Sequence, residues 1–142
     1  MKLTLEIEGE GAQDPLPGGG ADLVAFMSFA LARGLGAQHP LIALAELLHG
    51  SHHVRLGPLT TFYEEAAADA EDLEKLERAW QDPGPLRESL EGLALALETD
   101  EQAQSLAGRA AAGGLAGQAR ALVAPLRAAG AAGKRVRLVY AL

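Results

Sequence analysis

The sequence contains no cysteine and no asparagine, and it has few aromatic residues. Among its 142 residues there are three Phe, two Tyr and one Trp. Without cysteine, the chain has no disulfide bonds, no thiolate metal site and no cysteine nucleophile. Because aromatic residues favour strands, their scarcity argues against an all-β fold.

Acidic residues are missing from the last part of the chain. All nineteen lie at or before Glu101, and residues 102–142 contain none. Residues 1–101 carry nineteen acidic and six basic side chains, a formal charge of −13, while residues 102–142 carry six basic ones, a charge of +6. This asymmetry indicates either an electrostatic partner or two parts of one fold that attract each other.

The residues that are abundant predict a mostly helical domain. Hydrophobic residues make up 49% of the chain, and most of them are Ala and Leu, which are the best helix formers. A chain near 150 residues buries about 70% of its unfolded surface as one domain. We therefore predict a single α+β domain over residues 1–142, with five or six helices and a small antiparallel sheet formed by the N- and C-terminal strands.

Both ends of the chain alternate apolar and polar residues with a period of two. Leu3, Leu5 and Ile7 alternate with polar residues near the start, and residues 134–142 repeat the pattern at the end. Such alternation is typical of strands with one buried face. An isolated two-stranded ribbon is marginally stable, so the two strands are expected to lie on the helices or to be extended by another chain.

Two predicted helices have almost no polar face. Residues 23–35 contain only Ser28 and Arg33 as polar side chains, and residues 40–48 begin with a proline suited to a first helical position. Helices of this kind are buried in a core or in an oligomer. Both are far shorter than the ~20 residues that span a bilayer, so no membrane association is expected.

Four further helices are predicted in the middle and towards the end of the chain. The spacing of Thr61 and Glu64 is that of a capping box that opens a helix over residues 62–80, after a short strand at 53–56. Leucines recur at helical spacing over residues 86–98, and Thr99 with Gln102 repeats the capping-box pattern for the next helix. In residues 115–129, Pro125 is expected to kink or restart the helix because it lacks an N–H.

A small group of potential metal ligands follows the second apolar helix. Its members are Glu46, His49, His52 and His53. Glu and His three residues apart share a helix face, as in di-iron carboxylate bundles, and imidazole with carboxylate suits zinc. The alternative is a histidine favoured by the negative end of a helix, followed by a polar loop. The number of ligands falls short of a complete site, so no cofactor is predicted.

Two other patterns point weakly to phosphate or nucleic acid. The Gly18–Gly20 run precedes a helix, but it lacks the other residues of a phosphate-binding motif. The basic C-terminal segment could contact nucleic acid, yet the whole chain has a charge of −7, whereas nucleic-acid-binding domains are usually basic. We expect these cations, Arg135 and Arg137 among them, to face the acidic surface over residues 64–77, represented by Glu65, Asp69 and Asp72, either within the fold or across an interface.

The sequence favours a non-catalytic interaction module over an enzyme. No serine lies in a nucleophile-elbow motif, and the adjacent Glu64 and Glu65 diverge on a helix. We predict a cytoplasmic homodimer that self-associates around Phe26, Phe29 and Leu44 and also has a possible protein partner. A metal-binding protein built on the His/Glu group is the alternative, and a nucleic-acid adaptor is third.

Overall fold

The computed structural model describes residues 2–64 and 69–141, and within them it contains four strands and six α-helices. The strands are β1 (Lys2–Ile7), β2 (Gly11–Ala12), β3 (Phe62–Glu64) and β4 (Val136–Ala141). The helices are α1 (Ala21–Leu31), α2 (Pro40–Ser51), α3 (Ala70–Arg78), α4 (Pro83–Thr99), α5 (Glu101–Arg109) and α6 (Leu115–Ala131). Short 3-10 helices occupy Pro17–Gly20 and Gly57–Thr60. The domain is α+β and mostly helical, as predicted.

The two chain ends pair at the centre of the sheet. Strand order is β2-β1-β4-β3, and β1 and β4 are antiparallel, with Leu5 opposite Leu138. The predicted pairing of the ends is therefore confirmed. The chain also extends the sheet itself, with the two residues of β2 beside β1 and with β3 beside β4. Because β3 runs parallel to β4, the sheet is mixed rather than wholly antiparallel.

A single apolar core lies between the sheet and the helices. One face of β1 contributes Leu3, Leu5 and Ile7, each at most 3% exposed. The helices α4 and α6 are the most extensively packed pair, and leucines of both are almost completely buried. Burial of one leucine side chain stabilises a fold by roughly 1.5–3 kcal/mol, so this core explains why the Leu and Ala residues dominate the composition.

The predicted helix over residues 62–80 is wrong at its start. Residues 62–64 form β3, and the helix begins at Ala70, where the Asp69 carboxylate accepts a hydrogen bond of 2.9 Å from the Asp72 N–H. The Thr61 hydroxyl donates to the Gly57 carbonyl at 3.0 Å rather than capping a helix. Pairing of Phe62 with Leu138 overrides the local capping pattern, because backbone bonds to a central strand outweigh one cap. Glu65 and the rest of residues 65–68 lie outside the described residues.

Two other local predictions are corrected at helix ends. Residues 53–56 do not form a strand: α2 runs on to Ser51, and His53, just beyond the C-cap His52, has a left-handed φ of +54°. The helix after Thr99 is capped by Asp100, whose carboxylate accepts from the Gln102 N–H at 2.8 Å. A single aspartate thus replaces the predicted capping box.

The proline in the last helix does not restart it. α6 continues through Pro125 to Ala131. The missing N–H leaves the carbonyl of Ala121 without its usual helical donor. Ala121 is exposed, so water can satisfy that carbonyl.

The two apolar helices lie at the surface of the chain, with one side exposed. α1 packs on α2 and α6, and α2 packs on α5, but Ser28 and Leu31 of α1 are exposed. Of the two predicted alternatives, burial in the chain's own core is therefore incomplete. Across residues 2–64 and 69–141, no helix combines the length and apolar character that crossing a bilayer requires.

Candidate functional site

The four potential metal ligands do not converge. Glu46 lies 3.8 Å from the Arg33 guanidinium, and the His52 Nε2 lies 2.7 Å from the Asp100 carboxylate. His49 and His53 are exposed. Within the part of the chain that the structure describes, no three His, Asp or Glu side chains are placed to hold a metal ion. The metal-site hypothesis therefore gains no support from the geometry.

The His52–Asp100 pair links two helix ends. His52 is the residue that ends α2, and Asp100 caps the start of α5. Hydrogen bonding from His52, and then from the Gln102 N–H, lowers the pKa of the Asp100 carboxyl below its ordinary value. The nearby Ser89 hydroxyl donates to the Arg55 carbonyl at 2.6 Å. This serine is engaged with the backbone, so it is not free to serve the pair as a nucleophile.

The glycine run before α1 forms a structural turn. Gly18, Gly19 and Gly20 all have positive φ values between 60° and 72°. A Cβ at Gly20 would lie 2.8 Å from the Cβ of Leu3, so only glycine fits between the turn and β1. The Leu23 N–H, at the start of α1, donates to the buried side-chain oxygen of Gln118 at 2.9 Å. This donor is unavailable to a phosphate.

Five of the six cations in residues 102–142 pair with carboxylates of residues 1–101. These pairs are Glu6–Arg137, Glu8–Arg135, Glu10–Lys134, Glu91–Arg127 and Glu98–Arg120. The hydrogen bond from Arg135 lowers the pKa of Glu8, and that from Arg120 lowers the pKa of Glu98. The charge asymmetry is therefore satisfied largely within one chain, and a phosphate backbone would have to displace these carboxylates.

Both named cations lie near the acidic helix. The Arg137 guanidinium donates to the Leu76 carbonyl at 3.0 Å and lies 4.3 Å from the ring centroid of Trp80. The hydrogen bond to Glu8, and also the nearby Glu77 carboxylate of α3, raise the pKa of Arg135.

Two acidic side chains of α3, Glu71 and Glu74, pair with its own Lys75 and Arg78, one helical turn away. These two pairs are exposed, so each contributes little to stability.

Two of the three predicted interface residues lie in the core. Phe26 and Leu44 are both 0% exposed within one chain and belong to the apolar core. They have no surface to offer a second subunit. Phe29 is half-buried, and its ring stacks on His39 with a centroid separation of 3.8 Å.

The outward face of α1 carries no charge. Its residues are Ala21, Ser28 and Leu31, which are exposed, and Ala25 and the C-cap Ala32, which are half-buried. The Ser28 hydroxyl donates to the Val24 carbonyl at 2.8 Å, so even the polar member is turned to the backbone. Leu31 is 54% exposed, and Leu35, just beyond the helix, is 79% exposed. We call this surface, with Leu35, the α1 face.

A cleft between the start of α2 and the end of α5 has few groups for chemistry. Its volume is about 490 Å³. Among the described residues that line it, two are titratable, His39 and Arg109, and the His39 Nδ1 already accepts from the Leu41 N–H at 3.1 Å. These described lining residues include no acid/base pair and no nucleophile.

No protein-family model matches this chain, and neither a curated protein nor a solved structure is detectably similar to it. The candidate surfaces therefore depend on the geometry alone. The sequence analysis did not identify Leu31 and Leu35 as exposed. Gly34 and Gly36 were the available signal, because glycines after a helix indicate that the chain turns away from the core there. The sequence analysis also missed Asp100 and Gln118, whose partners are distant in sequence.

Proposed function

We propose that this protein is a non-catalytic module that self-associates through the α1 face. The observation that carries the proposal is the lack of any charged side chain along the exposed side of α1 between Asp22 and Arg33. A surface helix of a monomer normally has a charged outer face, and contiguous exposed apolar surface marks an interaction site. The proposed setting is the cytoplasm, an expectation that rests on the sequence composition.

A second copy of the chain is the occupant that fits this face best. An uncharged surface meets no electrostatic penalty against its own copy, and two-fold dimers use the same patch on both subunits. Ala21, Ala25 and Ser28 are small, so two α1 helices can approach closely. Leu31 and Leu35 would then lose their exposure to water, which stabilises the dimer by roughly 25 cal/mol for each Å² of apolar surface buried.

The proposal is tested by light scattering during size-exclusion chromatography at micromolar concentrations. We expect twice the chain mass of 14.7 kDa. We also expect the dimer to persist at about 1 M salt, where charges are screened beyond ~3 Å, because the contact is apolar.

The variant Ser28→Glu places a charge at the centre of the α1 face. It should raise the dimer dissociation constant at least about tenfold, equivalent to ~1.4 kcal/mol. Ser105→Glu makes the same change at an exposed serine of α5 and should leave the dimer intact, with both variants checked for unaltered circular dichroism. A wild-type monomer at every concentration would disprove the proposal, as would equal behaviour of the two variants.

A further inference from the structure

One cation of the basic C-terminal part lines a cleft instead of pairing with a carboxylate. This residue is Arg109, which is exposed at the end of α5. Five other cations of residues 102–142 have carboxylate partners, whereas in the part of the chain that the structure describes Arg109 has none. It lines the cleft of about 490 Å³ beside the start of α2, so its charge is available to a ligand there.

The ring of His39 gives the same cleft a second hydrogen-bond donor. Its Nδ1 accepts from the Leu41 N–H at 3.1 Å, so Nδ1 carries no proton and the neutral ring has its N–H at Nε2. Among the described residues, no acceptor contacts this Nε2–H. The ring is also stacked on Phe29, with 7° between the ring planes, so the donor is held in position before any ligand binds.

The rest of the lining is mostly apolar and adds no charge. It consists of Gln38 and five apolar residues, Ala37, Pro40, Ile42, Ala43 and Leu106. Because the positive end of α2 and the negative end of α5 both lie at the cleft, the two helix dipoles largely offset each other. The described lining residues therefore carry one positive charge beside an apolar surface, in a volume within the ~300–1,000 Å³ typical of small-molecule sites.

We infer that this cleft binds a small organic acid, a monocarboxylate with an aliphatic chain. The carboxylate would pair with the Arg109 guanidinium, whose planar fork matches two oxygen atoms, and the His39 Nε2–H would supply a further donor. The aliphatic chain would cover the parts of Ile42 and Leu106 that the fold leaves exposed, 7% and 8% of each residue. Donors without acceptors beside an apolar wall match the two parts of such a ligand.

Other classes of ligand match this cleft less well. An amine would be repelled by the charge of Arg109, and a neutral apolar molecule would remove that charge from water without giving it a partner. Nucleic acid carries many phosphates, which one arginine does not compensate on a chain with a net charge of −7. None of the residues of the α1 face lines the cleft, so the inference goes beyond self-association and does not depend on it.

The test is isothermal titration calorimetry of the full chain with octanoate, below its micelle-forming concentration. We expect saturable binding of one octanoate per chain. Octanamide has the same chain without the charge, and acetate has the charge without the chain, so each should bind at least about tenfold more weakly, equivalent to ~1.4 kcal/mol. No detectable binding of octanoate would overturn the inference, as would equal binding of octanoate and either control.

Matched variants locate the binding site. Arg109→Gln should weaken octanoate binding at least about tenfold, whereas Arg55→Gln removes the same charge at an exposed arginine outside the cleft and should have no effect. Ala43→Glu places a carboxylate in the cleft and should also weaken binding, unlike Ala128→Glu at an exposed alanine of α6. Equal effects within either pair would overturn the inference. Ser28→Glu should bind octanoate as wild type does, so failure of this inference is distinguishable from failure of the proposed dimer.

Discussion

At the scale of single residues, Asp100 shows how one side chain joins two helix ends. One carboxylate oxygen accepts from the Gln102 N–H at 2.8 Å and from the Ala103 N–H at 3.4 Å, and the other lies 2.7 Å from the His52 ring. All three contacts favour the ionised carboxylate. They hold its pKa below the ordinary value for aspartate, so the ionisation of Asp100 is coupled to folding.

This coupling predicts a loss of stability in acid. A carboxyl whose pKa is lower in the folded state contributes stability that is fully present above the unfolded pKa, about 3.9 for aspartate. That stability is lost as the pH falls towards and through the lower folded pKa. We expect Asp100→Ala to lower the melting temperature at neutral pH. We also expect the melting temperature of this variant to decrease less steeply than that of wild type as the pH falls below about 4, as measured by circular dichroism across that range.

The variant Asp100→Asn separates the two interactions of this side chain, the capping of α5 and the pairing with His52. Asparagine is as good an N-cap as aspartate, so it should preserve the start of α5 while removing the charge that faces His52. Its melting temperature at neutral pH should lie between those of wild type and Asp100→Ala. An unchanged melting temperature in both variants would contradict the conclusion that Asp100 stabilises the contact between α2 and α5.

At the scale of secondary-structure elements, Arg137 connects α3 to the sheet, beside the backbone bridge between Gln81 and Val136 that follows the helix. The Arg137 side chain is 18% exposed, and its Nε lies 2.6 Å from the Glu6 carboxylate. It also contacts Leu76 and Trp80, as described above. One arginine on β4 therefore connects the neighbouring strand β1 with an acidic helix that has no buried residue of its own.

Removing this arginine should release α3 from the sheet. Arg137→Ala should lower the free energy of unfolding by about 1–3 kcal/mol, since it leaves a partly buried carboxylate and a carbonyl without their charged donor. Hydrogen exchange of the α3 amides should become faster, and the fluorescence of Trp80 should shift to longer wavelength. Denaturant titration and hydrogen-exchange mass spectrometry would measure these changes.

Arg127→Ala provides the matched control for that experiment. Arg127 lies on α6 and pairs with Glu91 of α4, and its side chain is 68% exposed. Exposed pairs contribute little to stability, so neither α3 exchange nor the melting temperature should change measurably. Faster α3 exchange in both variants would show that Arg137 is not the specific attachment.

At the scale of the whole molecule, β4 is a central strand of the sheet and contributes buried side chains to the core. It lies between β1 and β3, although it is the last strand in the sequence. Leu138 is 0% exposed and faces Leu5 and Phe62 on its two neighbours. The sheet therefore cannot form until the C-terminus is in place.

The central position of β4 predicts that the C-terminus is essential for stability. Deletion of residues 136–142 should abolish cooperative unfolding. The milder change Leu138→Ala should cost about 2–5 kcal/mol, as expected for a leucine lost from a core. Leu95→Ala, at a leucine 55% exposed, should stay within about 0.5 kcal/mol. Urea titration would measure both, and equal effects would contradict the assigned core.

Much of the architecture follows from patterns in the sequence. The alternation of Leu3, Leu5 and Ile7 predicts which side of β1 is buried, and the helical spacing of leucines predicts α4 and α6. The candidate surfaces were less predictable. Phe26 and Leu31 are both apolar residues of the same predicted helix, so the sequence pattern does not distinguish them. Phe26 is buried and Leu31 is exposed because of the way α1 packs on its neighbouring helices.

The sequence by itself determined the fold class, the buried faces of the end strands and the uneven distribution of charge. These properties depend on the period of the apolar residues and on composition, which are local. The tertiary structure alone decided that residues 62–64 form a strand, that Asp100 faces His52 and that the basic end neutralises carboxylates of β1 and α4. Each of these outcomes depends on contacts between residues far apart in sequence, whose free energy exceeds the local preferences that the sequence shows.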